Sequence, residues 1–440
     1  MPSIALHNLG CSKNQIDGER MLGMLMQSGF SAEADFSLAD IIIVNTCAFI
    51  REAQQEAIDA ILELARFKKN GRCRLLAVAG CFSQRFRNEA RMRLPEVDLW
   101  LGLNDWQKLL QTALHLPKAL SGRRVLFPPI ATQYLKIAEG CSRRCSFCAI
   151  PFIRGPLQSR PGPEIIKEAQ WLYSRGAREC ILVSQDTSSY GKDSGGSLTR
   201  LLELLLAKTK FPWIRLMYLH PQCVDDDFLC LIAQEKRLLP YFDIPLQHIS
   251  DEILISMKRR PLSKGIYRLI DHIRKIVPDA AIRTTLIAGY PGETKRHFEE
   301  LLAFVEKARF EHLGVFPFSP EKGTAAYSLA KRPADSTAGK RCEMLMSLAR
   351  DISGQVCASR IGKTIDVIID GPAQEPAMTF GAKARRGRAP HALEGRSIWD
   401  APEVDGTVIM PAGGVSVGAI VPVTVVTAGD YELAGVPAAR

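Results

Sequence analysis

Residues 134–155 read YLKIAEGCSRRCSFCAIPFIRG, and the rest of the chain is best understood outward from them. An apolar strand candidate, Leu135–Ala138, runs into a polar loop carrying Cys141, Cys145 and Cys148 in C-x3-C-x2-C spacing. Three thiolates on one short loop can grip one polynuclear iron–sulfur centre, and a cubane held by only three cysteines keeps one iron open to an outside ligand. Tetrahedral zinc would ask for a fourth protein ligand, and no Cys or His follows at suitable spacing. The competing reading is three structural cysteines on a loop.

Downstream of this loop, strand candidates recur at Cys180–Ser184, Ile214–Leu219, Phe242–Leu246, Ile282–Ile287 and His312–Phe318. Helical patterns such as PEIIKEAQWLYSRG, SLTRLLELLLAK and ETKRHFEELLAFVEKA separate them. Successive β/α units of this kind predict a full or partial barrel, here of (β/α)6 type, whose chemistry sits at the carboxyl ends of the strands. Gln185, Gln247 and Arg283 are placed at or near those ends, as are His220 and His248, whose ordinary role would be structural. A Gly-rich turn, GYPGET (Gly289–Thr294), opens a helix and offers backbone N–H groups to a carboxylate.

Upstream, residues 1–118 also alternate. Ile4–Leu9, Ile41–Thr46, Leu75–Gly80 and Val97–Gly102 read as buried strands with helices between them, which predicts a doubly wound, mostly parallel sheet. Cys11, Cys47 and Cys81 each fall just past the carboxyl end of one of these strands, in ALHNLGC, IIIVNTC and LLAVAGC. Such ends converge on one edge of a parallel sheet, where ligands bind. Three convergent thiolates there suggest a second cluster. Taken singly, each would more often be a buried core cysteine. Cys73, Cys180, Cys223, Cys230, Cys342 and Cys357 share no spacing and are expected to be structural.

Beyond residue 357 the chain turns to Val, Thr, Gly and Pro in alternating runs, KTIDVIID, GTVIM and AIVPVTVVTAGDYELAGV, the pattern of a small all-β barrel or sandwich. The expected organisation is therefore 1–118, 127–357 and 358–426, within 440 residues that exceed one compact core. No apolar run approaches the roughly 18 residues of a membrane span, and MPSIALHNLGCSKNQ lacks the basic start and long apolar stretch of a signal peptide. A cytoplasmic protein with no membrane partner is expected, and 12 cysteines there cannot form a disulfide framework.

The C-x3-C-x2-C loop opening a β/α barrel resembles the signature of the radical S-adenosylmethionine enzymes. Together with LGCSKNQIDGER, VNTCAFI and AGCFSQR, the chain is similar to their methylthiotransferase branch over essentially its whole length. The resemblance implies a flavodoxin-like N-terminal domain, a radical barrel and a C-terminal TRAM domain. It also implies two [4Fe-4S] clusters, one on Cys141, Cys145 and Cys148 and an auxiliary one on Cys11, Cys47 and Cys81, with S-adenosylmethionine as radical source and methyl donor. Phe147, Gln185, Gln247 and Arg283 become its candidate contacts. Ser12, Phe82, Ser83 and Trp399 depart from the usual pattern, but none is a ligand cysteine.

Within the branch, DIPLQHISDEILISMKR, GVFPFSPEKGT and above all GRSIWDAPEVDG look like the set that modifies the β-carbon of an aspartate of ribosomal protein S12, and less like the set that modifies an adenosine of transfer RNA. Asp400, Glu403 and Asp405 are then candidate substrate contacts. Charge agrees: the chain is +10 overall, yet residues 360–440 hold 8 Lys/Arg against 9 Asp/Glu. A module that grips transfer RNA should be basic; this one better suits a basic protein. KARRGR (Lys383–Arg388) is a counter-signal, and the nine Lys/Arg between Arg66 and Arg93 form either a solvated face or a ribosomal RNA contact. The implied partners are S12, free or in the small subunit, ribosomal RNA and an electron donor. The rival from another class is a non-catalytic iron–sulfur RNA-binding protein.

Overall fold

The computed structural model describes residues 1–103, 105–115, 124–373 and 392–438; the Lys383–Arg388 run lies outside them. The chain forms two compact units. One comprises Met1–Phe127, Glu139–Gln158 and Ser319–Tyr327; the other comprises Pro128–Ala138, Ser159–Phe318 and Ser328–Arg440. The cysteine loop at 141–148 thus packs with the N-terminal residues, a grouping that the expected break near 118–127 did not anticipate.

In the first unit, β1 (Ser3–Asn8), β2 (Ser31–Ala32), β3 (Ile41–Thr46), β4 (Leu75–Gly80) and β5 (Leu99–Trp100) form a parallel sheet in the order β2-β1-β3-β4-β5. This is the flavodoxin-like order, with its switch point between β1 and β3. All six residues of β3 are buried, as suits a central strand covered on both faces. Met21, Met24 and Leu25 of α1 (Ser12–Gln27) pack on one face against Ile41 and Ile43. On the other face, Ile61 and Leu64 of α2 (Arg51–Ala65) and Phe82 and Ala90 of α3 (Cys81–Arg93) pack against Ile42, Val44 and Val78. Each such aliphatic side chain contributes about 1.5–3 kcal/mol on burial. Ala149 and Ile153, just past the cysteine loop, join this second core.

The second unit holds six parallel strands in two arcs. β6 (Thr132–Lys136), β7 (Glu179–Val183) and β8 (Trp213–Leu216) form one; β9 (Tyr241–Asp243), β10 (Ala281–Ala288) and β11 (His312–Pro317) form the other. A single bridge, Ile214 to Leu238, lies between the arcs. The result is the partial (β/α)6 barrel that the alternation predicts. A 24-residue helix, Asp335–Ala358, leads to a closed barrel of β12 (Thr364–Pro372), β13 (Ala392–Ser397), β14 (Thr407–Pro411), β15 (Ile420–Ala428) and β16 (Glu432–Pro437). The expected end at 426 is too early, because β16 pairs with both β14 and β15 and is what closes the barrel.

Buried charge ties this small barrel to the six-stranded one. Arg396 on β13 reaches Glu179 on β7 (2.8 Å) and Asp370 on β12 (2.7 Å), while Arg215 on β8 holds the other oxygen of Glu179 at 2.7 Å. Glu179 and Arg215 are fully buried. Burial alone would push the Glu179 carboxyl up, but the two guanidinium groups overcome it and bring it down to about 2.

Candidate functional site

The three N-terminal cysteines close β1, β3 and β4, adjacent strands whose carboxyl ends share one edge. Glycines let the backbones approach there. A Cβ on Gly80, whose φ is +89°, would lie 2.4 Å from the Thr46 carbonyl oxygen; one on Gly10 (φ +91°) would lie 2.8 Å from the Cys47 Cβ. Only glycine fits both the space and the left-handed backbone.

At the centre of this edge is Asn14, fully buried on the first turn of α1. Its Nδ2 donates to the carbonyls of Leu9 (3.1 Å) and Thr46 (2.9 Å), the segments that lead into Cys11 and Cys47. Its Oδ1 lies 3.8 Å from the Cys81 Sγ and accepts a 2.5 Å hydrogen bond from Arg154. Arg154 ends α4 (Ile150–Arg154), six residues past Cys148, and is buried; it also contacts Glu139 (2.9 Å) and Asp17 (3.4 Å).

The thiols sit in unequal electrostatic surroundings. Burial raises Cys11, but the Lys13 and Arg154 charges and the N–H groups of Asn14 and Lys13 outweigh it, so this thiol lies below its ordinary value. Cys47 is raised, by burial and then by Cys11. Burial pushes Cys81 up to about 12 despite Arg154.

The loop of Cys141, Cys145 and Cys148 is held at several points. A Cβ on Gly140 (φ +71°) would lie 2.0 Å from the Pro156 carbonyl oxygen, so glycine is required. The Cys141 N–H donates to the Gly155 carbonyl (3.0 Å), and the Ala326 N–H to that of Ser146 (2.7 Å). Residues 319–327 are in turn fixed by Glu321, which accepts from Arg85 (2.7 Å), Gln54 (3.0 Å) and Ser319 (2.7 Å). All twelve cysteines are described, and none is in a disulfide. Among the described residues no three His, Cys, Asp or Glu side chains are close enough to share one ion. A polynuclear centre gives each thiolate its own iron, so its ligands must stand farther apart. The two all-sulfur donor sets, each on a glycine-shaped backbone, fit such a centre.

The remaining sequence candidates divide. Phe147 is half-buried on the loop. Gln185 lies two residues past β7, and Gln247, at φ +74°, follows β9 with its N–H bound to the Thr285 carbonyl at 2.8 Å. Both are on the carboxyl side of their strands. Arg283 is not. It is the third residue of the eight in β10, at the opening end, where Asp243 (3.4 Å) and Asp405 (3.2 Å) hold it. Asp405 also accepts from the Tyr241 hydroxyl (2.6 Å), and Asp400 accepts from Ser397 and lies 3.5 Å from His312. Two of the three acidic candidates therefore serve the seam between the barrels; Glu403 alone is exposed.

The GYPGET turn cradles its own carboxylate: the Glu293 side chain accepts from the Gly289 N–H at 2.9 Å. His220 and His248 accept from the N–H groups of Gln222 and Ser250, a local structural role. In the basic stretch, Lys68, Arg72, Arg85 and Arg87 are paired with Asp98, Asp40, Glu321 and Asp105.

A three-cysteine loop following the first strand of a six-stranded parallel barrel, with a second thiol edge on a flavodoxin-like sheet, is the arrangement that the resemblance to the radical S-adenosylmethionine methylthiotransferases implies. The comparisons agree domain by domain: residues 3–102 match Uncharacterized protein family UPF0004, residues 135–305 the Radical SAM superfamily and residues 361–437 the TRAM domain. The chain belongs to the ribosomal protein uS12 methylthiotransferase family, being 40% identical to the members named RimO from Syntrophus aciditrophicus (98% of this chain, 97% of that one) and Geobacter sulfurreducens (98% of each). Among solved structures, the radical S-adenosylmethionine methyltransferase TsrM from Kitasatospora setae matches with a TM-score of 0.54 over 74% of this chain and 77% of its own, at 14% identity, a likeness of fold.

Proposed function

We propose that the chain methylthiolates the β-carbon of an aspartate of ribosomal protein S12, with Cys141, Cys145 and Cys148 holding one [4Fe-4S] cluster and Cys11, Cys47 and Cys81 an auxiliary one. Full-length kinship with uS12 methylthiotransferases carries the reading, and the convergence of two cysteine triads in one compact unit supports it. When bound, the clusters and S-adenosylmethionine supply an electron, a carbon radical able to take hydrogen from an unactivated C–H bond, sulfur and a methyl group.

The chain's own part is to hold and to position. Gly140 and the Cys141–Gly155 hydrogen bond set the ligand loop; Gly10, Gly80 and Asn14 set the second edge. Gln185, Gln247 and Phe147 remain the proposed contacts of S-adenosylmethionine, and exposed Glu403 the proposed contact of a basic substrate. The same reading has the enzyme act in the cytoplasm, on free S12 or the assembled small subunit, with TRAM-mediated RNA contact and an external electron donor.

The test is an anaerobic assay of the reduced, reconstituted enzyme offered both S12 and transfer RNA, followed by mass spectrometry. A methylthio group on an S12 aspartate is the expected product. Methylthiolated transfer RNA with unchanged S12 overturns the substrate, and absence of 5′-deoxyadenosine overturns the enzymatic reading.

A further inference from the structure

The buried Arg154 has no part in the ligand set, yet it joins the segment that follows one cysteine set to the edge that carries the other. It ends the short helix after the Cys141–Cys148 loop, and its guanidinium hydrogen-bonds Asn14, the residue that holds the segments leading into Cys11 and Cys47. The same Asn14 Oδ1 lies 3.8 Å from the Cys81 Sγ, so the buried guanidinium is one hydrogen bond removed from that thiol. Glu139 and Asp17 hold it from the other side. A cation so enclosed acts through a low effective dielectric and is little screened by salt. We infer that Arg154 is a positioning residue of the auxiliary site: through Asn14 it fixes the thiol edge, and its buried charge raises the reduction potential of a cluster bound there.

The physics is one of charge. Adding an electron makes an all-thiolate cluster more negative, so a fixed neighbouring cation favours the reduced form, and removing the cation lowers the potential. The same arginine belongs to the segment that carries the other triad, so the sequence gap between the sites is bridged by one side chain. This inference rests on the two-cluster reading above, and its test separates the two.

The full-length chain is reconstituted with iron and sulfide in two backgrounds, Cys141/Cys145/Cys148→Ala and Cys11/Cys47/Cys81→Ala, so that each retains one triad. Each is titrated anaerobically with titanium(III) citrate and followed by electron paramagnetic resonance. Arg154→Gln is expected to shift the reduction equilibrium roughly tenfold, about 59 mV to lower potential, in the first background alone, and Arg154→Lys to recover most of that shift. An unchanged potential, or an equal shift in both backgrounds, overturns the inference. Should Arg154→Gln fail to retain iron, retention in Arg154→Lys supports the role of charge, and loss in both overturns it. A first background that binds no iron with Arg154 intact overturns the two-cluster reading instead.

Discussion

Two buried arginines in this chain have opposite company. Arg396, at the seam of the C-terminal barrel, meets Glu179 and Asp370 at 2.7–2.8 Å. Arg154 meets two carboxylates as well, but also an amide and a thiol edge whose sulfurs differ in proton affinity. The first cation faces two carboxylates across a buried seam and so serves architecture. The second faces groups whose state must change when a metal arrives, since only thiolates bind metal. Ion pairs in a fold are thus not equivalent: what matters is whether the partner's charge is fixed.

The sharpest break in the comparison comes from the cysteines. Replacing Cys141, Cys145 and Cys148 by Ala is expected to abolish 5′-deoxyadenosine formation, whereas replacing Cys11, Cys47 and Cys81 should leave that formation and abolish methylthio transfer; chromatography of both products tells them apart. Equal behaviour of two folded triple variants would erase the division of labour.

Next in size is Glu179→Gln, which strands Arg215 and Arg396 without their shared carboxylate. Breaking a buried pair in this way costs about 3–5 kcal/mol, read as a lower urea midpoint. In the native protein the folded state holds this carboxyl near 2 against an ordinary 4.5. The unfolded chain therefore takes the proton first. The stability that Glu179 contributes is complete above pH 4.5 and is lost as pH falls toward 2, a loss that Glu179→Gln should not show.

Smaller still is Asp405→Asn, which removes the charge facing Arg283 and His312. A cost of about 1–3 kcal/mol is expected, with S-adenosylmethionine affinity unchanged because this cluster lies at the opening end of β10. Weakened cofactor binding would return Arg283 to the site. Smallest is Glu403→Gln, exposed and expected within about 0.5 kcal/mol of the parent in stability, with any effect confined to substrate affinity measured by titration with S12.

The sheet and barrel strands were legible because buried parallel strands leave short apolar runs, and the loop triad because its spacing is local. β2 was not: two exposed residues leave no periodic signal. Arg283 was misplaced because a polar residue in an apolar strand reads as a site until its partner, 122 residues away, is known. Arg154 was missed for the same reason, its Asn14 contact spanning 140 positions. The one hint was a lone arginine closing the otherwise apolar IPFIR. Asn14 sits in LGCSKNQIDGER, but nothing local says that its amide ties two other loops.

The seam around Glu179 has a practical consequence for ionic strength. Contacts that an exposed surface makes with RNA or with a basic protein weaken steeply as salt rises, while ion pairs sealed from solvent are screened far less. Raising salt should therefore strip the partners proposed for the C-terminal barrel without undocking it from β7 and β8. What survives a high-salt wash reports on the enzyme's own cohesion, and what elutes reports on its grip.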